Sequence, residues 1–476
     1  MKLAFILSID DSHNYKWIDY LSKTNDITII STLDNIGKNH FSDNEKVKIY
    51  NILPLTYTYR HFRKKNHIIK QLQQILKDEK IEILHSIYAW PYSIWAYHTK
   101  FKNHIVTTYG SDVLVDYKNS PSFLKESAKS IIAFLLRLET RKAFKSAKFI
   151  TSTSDNQQNV IREFIKDEDK LSIIRTGVNC NELLEVYNKS EKQYKETTIF
   201  SCRAMQPLYN IDVIIDGFVL LKQKTNNLSL KLVLINYCAS VEYFNIILQK
   251  IKENNITEYV TILPNLTFLQ LVQEYKNSDI VIMVPKSDGS PVTGMETLLA
   301  QKPLIMGNVS YDKDLYSEKT VWKLDVVTPE SVCDKIIEIL QLSKDVINEK
   351  TTNGFNAVMQ NGNLDIEIAK LETLYKKILN QNSNKKNDLA YVNNPSTYKQ
   401  CSRCVMDNLN DSNIRFDENN YCNYCSEYFI HIKNEATTEK YNSEKLKSLI
   451  QQIKNENKNK KYDCIVGISG GIDSAF

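Results

Sequence analysis

The sequence predicts an α/β protein: two parallel-sheet units in succession, then a small cysteine-rich segment and the opening of a further α/β unit. Three observations carry this reading. Short apolar, β-rich runs alternate with helical patterns from Lys2 to Met306 at a spacing that fits doubly wound parallel sheets. The apolar content, 42% of 476 residues, is enough for more than one buried core. One loop, Ser287 to Glu296, closes an apolar strand and opens a helix, and in such folds ligands gather at the carboxyl ends of the strands.

In chain order, Lys2 to Ser8 reads as a strand, Tyr15 to Ser22 as a helix and Ile27 to Ser31 as a strand. The turn between the first two, Asp10-Asp11-Ser12-His13, lacks the Gly-x-Gly-x-x-Gly fingerprint, which argues against a dinucleotide cofactor. His67 to Asp78 has helical periodicity. The strand Ile81 to His85 runs into Ser86-Ile87-Tyr88, and the strand His104 to Thr108 runs into Tyr109-Gly110-Ser111-Asp112. Ser122 to Ala147 is a long helical stretch with an apolar side and Arg137, Arg141, Lys142 and Lys145 on another. A core helix with a solvated charged face and a helix lying on an anionic membrane surface are both compatible with it. Ile150 to Ser154 and Lys170 to Ile174 give two more strands, and the polar run Asn181 to Thr197 reads as the passage between units.

The second series begins at Thr198. Strands at Ile199–Cys202, Leu230–Ile235, Tyr259–Leu263, Asp279–Val284 and Pro303–Met306 alternate with helices at Ile211–Leu221, Tyr243–Ile251 and Phe268–Lys276. After Val284 comes Ser287-Asp288-Gly289-Ser290-Pro291-Val292-Thr293-Gly294-Met295-Glu296, where the helical pattern starts near Pro291, a residue that fits a first helical turn. A small-residue loop at a helix N-terminus offers backbone N–H groups and the positive end of the helix dipole to a diphosphate. Asp288 and Glu296 place one carboxylate in the loop and the other a turn into the helix, so they can address two ends of one ligand. The same stretch also fits an ordinary strand-to-helix turn.

This stretch resembles the acidic-x7-acidic motif of retaining glycosyltransferases of the GT-B fold, glycosyltransferase family 4. The resemblance covers residues 1 to about 380 and implies two Rossmann-like domains. The acceptor-side domain spans 1–180 with a crossover helix returning at about 365–380, and the nucleotide-sugar donor domain spans 181–380. It implies that Glu296 binds the ribose hydroxyls, that the Gly289, Ser290, Pro291, Val292 and Thr293 backbone meets the diphosphate and sugar, and that Asp288 faces the transferred sugar. Arg203, after the first strand of the second unit, would clamp the diphosphate, although an Arg there also fits a surface ion pair. The family's following Lys is absent, and Tyr209-Asn210 stand near its place. Ser12, His13 and Trp17 resemble the first acceptor-domain loop; His85, Tyr109, Gly110 and Asp112 resemble its later loops, Asp112 being placed with Asp288 among catalytic candidates. For His13, Asp112 and Gly110 an ordinary polar, carboxylate or turn role stays open. Arg175-Thr176-Gly177-Val178-Asn179 resembles the element that enters the interdomain passage.

Residues 381–398 are polar and read as a linker. Cys401-x2-Cys404, then 17 residues, then Cys422-x2-Cys425 has the spacing of a tetrahedral structural zinc site within 399–430. Within 431–476, Tyr462 to Ile468 reads as a strand ending in Ser469-Gly470-Gly471-Ile472-Asp473-Ser474. This resembles the PP-loop of ATP pyrophosphatases, and with the cysteines it resembles the start of an N-acetyl sugar amidotransferase. The resemblance implies Ser469, Gly470, Gly471, Asp473 and Ser474 at an ATP pyrophosphate and a glutaminase partner supplying ammonia. A segment this short is expected not to catalyse alone, so ATP would matter only with a complete domain.

The net charge of +5 speaks against nucleic acid as a partner. The apolar start meets Asp10-Asp11 at once, which leaves no signal-peptide core. The expected location is the cytoplasm, with peripheral contact to the inner membrane face through the basic helix. The remaining cysteines are scattered and read as small buried residues. The expected activity is a retaining glycosyltransferase, hexosyl or N-acetylhexosaminyl, serving surface polysaccharide or lipopolysaccharide biosynthesis through a glycan or lipid-linked acceptor. The rivals are the amidotransferase and a non-catalytic sugar- or membrane-binding scaffold.

Overall fold

The computed structural model describes residues 1–9, 12–32, 40–41, 43–54, 62–114, 126–225, 228–392, 399–408, 414–434 and 439–458. The proposed PP-loop residues Ser469, Gly470, Gly471, Asp473 and Ser474 lie outside the described residues. The chain divides into two compact units, Met1–Leu379 and Asn380–Phe476.

The first unit contains two wholly parallel sheets. One has seven strands, β1 (Lys2–Ile6), β2 (Asp26–Thr32), β3 (Val47–Leu53), β4 (Ile83–Ile87), β5 (His104–Thr108), β6 (Phe149–Ser152) and β7 (Leu171–Ile173), in the order β3-β2-β1-β4-β5-β6-β7. The other has six, β8 (Thr197–Ser201), β9 (Leu230–Ile235), β10 (Val260–Leu263), β11 (Ile280–Met283), β12 (Leu304–Met306) and β13 (Trp322–Lys323), in the order β10-β9-β8-β11-β12-β13. Each order reverses once, between β1 and β4 in the first lobe and between β8 and β11 in the second. Crossovers leave the sheet on opposite sides of that point, so the loops beyond those strand ends splay apart and form a crevice. The β8–β11 register, Ile280 opposite Ile199 and Val281 opposite Phe200, brings the loops carrying Arg203 and Asp288 side by side.

Apolar runs rather than alternation mark these strands because both faces are covered. On the second sheet, Ile199, Leu232, Ile280 and Ile282 pack one way, and Phe200, Val233, Val281 and Met283 the other. The helix Leu364–Val392 returns to the first lobe. Its Leu364, Ile368, Leu371, Tyr375 and Ile378, spaced three and four apart, form one stripe in the core with Leu3, Phe5 and Trp17. Each such burial contributes about 1.5–3 kcal/mol, which ties the end of this unit to its beginning. Gly177 takes a left-handed φ of 75°, and a Cβ there would stand 2.8 Å from Leu364 Cα, so no larger residue fits where the passage between lobes crosses this helix.

Two stretches show more regular structure than the sequence reading gave them. The polar run after Asn181 is not an open passage throughout: Cys180–Lys189 is a helix capped by the Asn179 side chain, with Leu183 buried. The stretch read as a linker continues the last helix of the unit as far as Val392, and residues 393–398 lie outside the described residues. In its described half, the helix Glu126–Ser146 packs one face on the core, as the first of its two readings expects. Phe144 packs on Phe164 and Ile150 while Arg137 pairs with Glu163 at 2.6 Å. Among the described residues no helix is long and apolar enough to cross a membrane.

In the second unit, short antiparallel bridges, Gln400 with Asp407 and Phe416 with Cys422, fold the two cysteine pairs toward each other. The helix Asn423–Asn434 follows.

Candidate functional site

Arg203 stands two residues past β8, above the end of β11. Its Nη2 donates to Asp288 Oδ2 at 2.7 Å and its Nη1 to Thr293 Oγ1 at 3.0 Å, while its guanidinium lies 4.3 Å from the Tyr209 ring. Burial opposes the charge of Arg203, but Asp288 together with Tyr209, Cys202 and Tyr311 outweighs it, so the pKa is raised and the guanidinium stays charged. Tyr209 and Asn210 thus serve the arginine indirectly. The tyrosine ring supports it, and Asn210, in a left-handed conformation, donates to Val284 O at 2.8 Å and pins the loop to the end of β11.

The helix Val292–Leu299 begins one residue later than its sequence suggests. Pro291 is its N-cap, with extended backbone and no side-chain cap bond, and its carbonyl accepts from Tyr316 Oη at 2.7 Å. The first N–H groups of that helix therefore have no side-chain cap. Gly289 donates its N–H to Asp288 Oδ1, and its carbonyl accepts from Asp312 N. Val292 is buried in the core, so only its backbone is available to a ligand. Glu296 is buried one turn on. Its Oε2 accepts from Tyr275 Oη at 3.0 Å, and its Oε1 lies 3.7 Å from Lys16 Nζ of the first lobe.

Around this cluster lie buried polar atoms with no hydrogen-bond partner among the described residues: Arg203 Nε, Ser290 Oγ, Tyr311 Oη and, from the first lobe, Ser154 Oγ. Buried polar groups are rarely left so, and these four around one loop leave bonding capacity that a polar ligand can use. Gly289 is where the lobes meet: a Cβ on it would lie 3.0 Å from Gln157 Nε2 and 3.5 Å from Ser154 Oγ. Asn156 Nδ2 donates to Ser310 O nearby.

The first-lobe candidates are placed differently. His85 lies within β4 because that strand runs two residues past it; it is a buried core residue, with Nδ1 2.7 Å from Tyr375 Oη and Nε2 2.7 Å from Thr107 Oγ1. Burial pulls its pKa down to about 3, so it is neutral and joins the sheet to the helix Leu364–Val392. Both ring nitrogens of His85 are thus engaged inside the core. Asp112 is likewise held by neighbouring groups. Its buried carboxylate accepts from the backbone N–H groups of Ala89 (2.7 Å), Gly110 (2.8 Å) and Tyr109 (3.1 Å), and so staples the loops after β4 and β5 together. Gly110 contributes that amide, and the Tyr109 ring packs edge-on against Trp17 and Tyr88. Ser12 and His13 open the helix Ser12–Ser22; their side chains lie outside what the structure describes.

One group was not singled out from the sequence. Arg175, buried at the end of β7, donates through Nε to Asp312 Oδ2 (2.5 Å) and through Nη2 to Asp314 Oδ2 (2.6 Å), and its N–H donates to Glu367 Oε2 (2.7 Å). Because Asp312 N also holds the Gly289 carbonyl, this clasp links both lobes and the returning helix to the Asp288 loop. Its parts lie 137 and 192 positions apart in the sequence, and only the charged residue in an apolar strand end hinted at it.

Residues 2–154 match the family described as Glycosyl transferase 4-like, and residues 185–352 match the one described as Glycosyl transferases group 1. Over residues 2–352 these two matches support a glycosyltransferase built from both kinds of domain. A search of curated proteins gives no match. Among solved structures, a glycosyltransferase from Rickettsia africae is 18% identical with a TM-score of 0.60, covering 79% of this chain and 98% of that one. Sucrose-phosphate synthase from Thermosynechococcus elongatus is 13% identical with a TM-score of 0.63, covering 80% and 100%. HepE of Anabaena in complex with UDP is 13% identical with a TM-score of 0.60, covering 80% and 100%. At these identities the likeness is one of fold.

In the second unit, the sulfurs of Cys401, Cys404, Cys422 and Cys425 all lie within 4.8 Å of one another, with Cys404–Cys422 at 3.6 Å and Cys401–Cys425 at 3.9 Å. Tetrahedral zinc thiolate with Zn–S of about 2.3 Å requires sulfurs roughly 3.8 Å apart, so the donor set fits that metal.

Proposed function

We propose that this chain transfers a sugar, with retention of configuration, from a nucleoside diphosphate sugar to a surface polysaccharide or lipid-linked glycan. The observation that carries this reading is the Arg203–Asp288–Thr293 cluster at the uncapped start of the helix Val292–Leu299, ringed by unpartnered buried polar atoms. In this reading the diphosphate lies against the first amides of that helix and Arg203, which stabilises the charge that grows on the leaving phosphate. Glu296 takes the ribose hydroxyls. Asp288 accepts from Arg203 and from its neighbour's amide, which supports a positioning role and not that of a covalent nucleophile. The acceptor then attacks from the face the leaving group vacates. That HepE was solved with UDP makes uridine donors the first to try.

A thermal-shift series with uridine, guanosine and adenosine diphosphate sugars tests the reading. A donor at about 100 times its Kd stabilises the folded state by about 2.7 kcal/mol, readable as a raised Tm. Donor hydrolysis or transfer should fall by about 100-fold or more in Arg203→Ala and Asp288→Asn. A flat series, with no donor turnover, overturns the proposal and favours a scaffold.

For the second unit we propose one structural zinc ion held by Cys401, Cys404, Cys422 and Cys425. With four thiolates its shell is full, and it contributes folding energy but no open coordination position. The purified chain should carry one equivalent of zinc, lost in Cys404→Ser with Cys422→Ser; metal-free wild-type protein of unchanged helicity would contradict this.

A further inference from the structure

We propose that Lys16 is the second cation of the donor site, and that its pairing with Glu296 stands in for a bound diphosphate. This rests on the donor-site reading above. Within the donor-lobe cluster described above the ion-pairing side chains are Arg203, Asp288 and Glu296, one positive charge against two negative ones. Arg203 gives Nη2 to Asp288 at 2.7 Å and Nη1 to Thr293, so its Nε is left for a ligand. A doubly charged diphosphate entering such a face meets net repulsion unless another cation is supplied.

Lys16 supplies it from the opposite lobe. It projects from the helix Ser12–Ser22, beyond β1 and therefore at the first lobe's own switch point, and reaches Glu296 Oε1 at 3.7 Å. That distance is an ion pair without a hydrogen bond, and among the described residues no hydrogen bond holds the Lys16 ammonium. Its side chain is 31% exposed while that of Glu296 is 5% exposed, so the lysine is the partner free to move. Thr293 and Glu296, three apart, share a face of one helix, which sets the Lys16 contact beside the Arg203 contact. When the donor enters, Lys16 turns from Glu296 to the diphosphate and releases the carboxylate to the ribose hydroxyls. Donor binding then draws the first lobe onto the second through a charge that only the first lobe carries.

The test uses the full chain and titration calorimetry with UDP, GDP and ADP, each compared with its nucleoside monophosphate, at two salt concentrations. For whichever nucleotide binds the wild type, Lys16→Met should weaken the diphosphate by at least about tenfold, the worth of a charge-assisted hydrogen bond. It should weaken the monophosphate much less and flatten the salt dependence. Lys16→Arg should restore most of the loss, and the Tm of the unliganded variants should stay near that of the wild type. Equal weakening of mono- and diphosphate, or unchanged diphosphate affinity, overturns the assignment of Lys16 while leaving the donor site standing. If no nucleotide binds the wild type at all, both proposals fall.

Discussion

The strand ends of the two lobes invite comparison, because each carries a charged residue in the loops beside a reversal of strand order, yet the residues are spent differently. In the first lobe, Asp112 gives its carboxylate to three backbone amides and His85 gives both ring nitrogens to Tyr375 and Thr107. In the second, Arg203 and Asp288 satisfy each other only in part, and Arg203 Nε, Ser290 Oγ and Tyr311 Oη have no partner among the described residues. Residue type and position at a strand end therefore do not tell groups that are fully bonded within the fold from groups with capacity left over. Whether bonding capacity is left over does.

The largest expected effect tests the second lobe: Arg203→Ala or Asp288→Asn should abolish nearly all donor turnover with little change in Tm, since the loop remains held through Asp312 and Tyr316. A variant that keeps turnover would erase the contrast. Next comes Asp112→Ala, which strips three buried amides of their acceptor and should lower stability by about 3 kcal/mol in urea unfolding. The affinity of the folded protein for donor should change little. A loss of turnover in Asp112→Ala at unchanged stability would instead return Asp112 to the catalytic group.

A further effect, set by the buried rings of the first lobe, concerns pH. His85 and His104 are both held near a pKa of about 3 by burial, with the charge of His104 adding to the effect on His85. The unfolded chain protonates these rings below about 6.5, whereas the folded chain does not until near 3. Stability is therefore complete above pH 6.5 and falls as pH drops toward 3, by about 1.4 kcal/mol per pH unit for each ring. The urea midpoint should decline from pH 7 to pH 5, and His104→Gln should make the decline shallower. A midpoint unchanged across that range would mean that the rings are not buried.

Much of this was legible in the chain itself. Buried parallel strands show as apolar runs, and β5 and β9 fall where those runs predict. β3 did not show, because it is a half-exposed edge strand, and β13 did not show because two residues carry no period and exist as a strand only through pairing with β12. The Asp288–Glu296 stretch was legible because its small residues, proline and carboxylates are local features of a strand-to-helix turn. His85 was misplaced by a strand that runs on to Ile87, a boundary that sheet pairing and not local sequence sets.

By itself the sequence determined what each short segment becomes: two series of parallel strands and helices, a small-residue loop that opens a helix, and a pair of cysteine knuckles spaced for zinc. These follow from local chemistry, periodicity, turn residues and ligand spacing, all within reach of a few residues. The tertiary structure alone decided which polar groups are used up and which are left over. The Arg175 clasp, the Tyr375 bond to His85 and the reach of Lys16 to Glu296 join residues 137, 290 and 280 positions apart, counting 296 − 16 for the last. Such partners are chosen by strand order and by the returning helix, whose packing depends on the whole core at once.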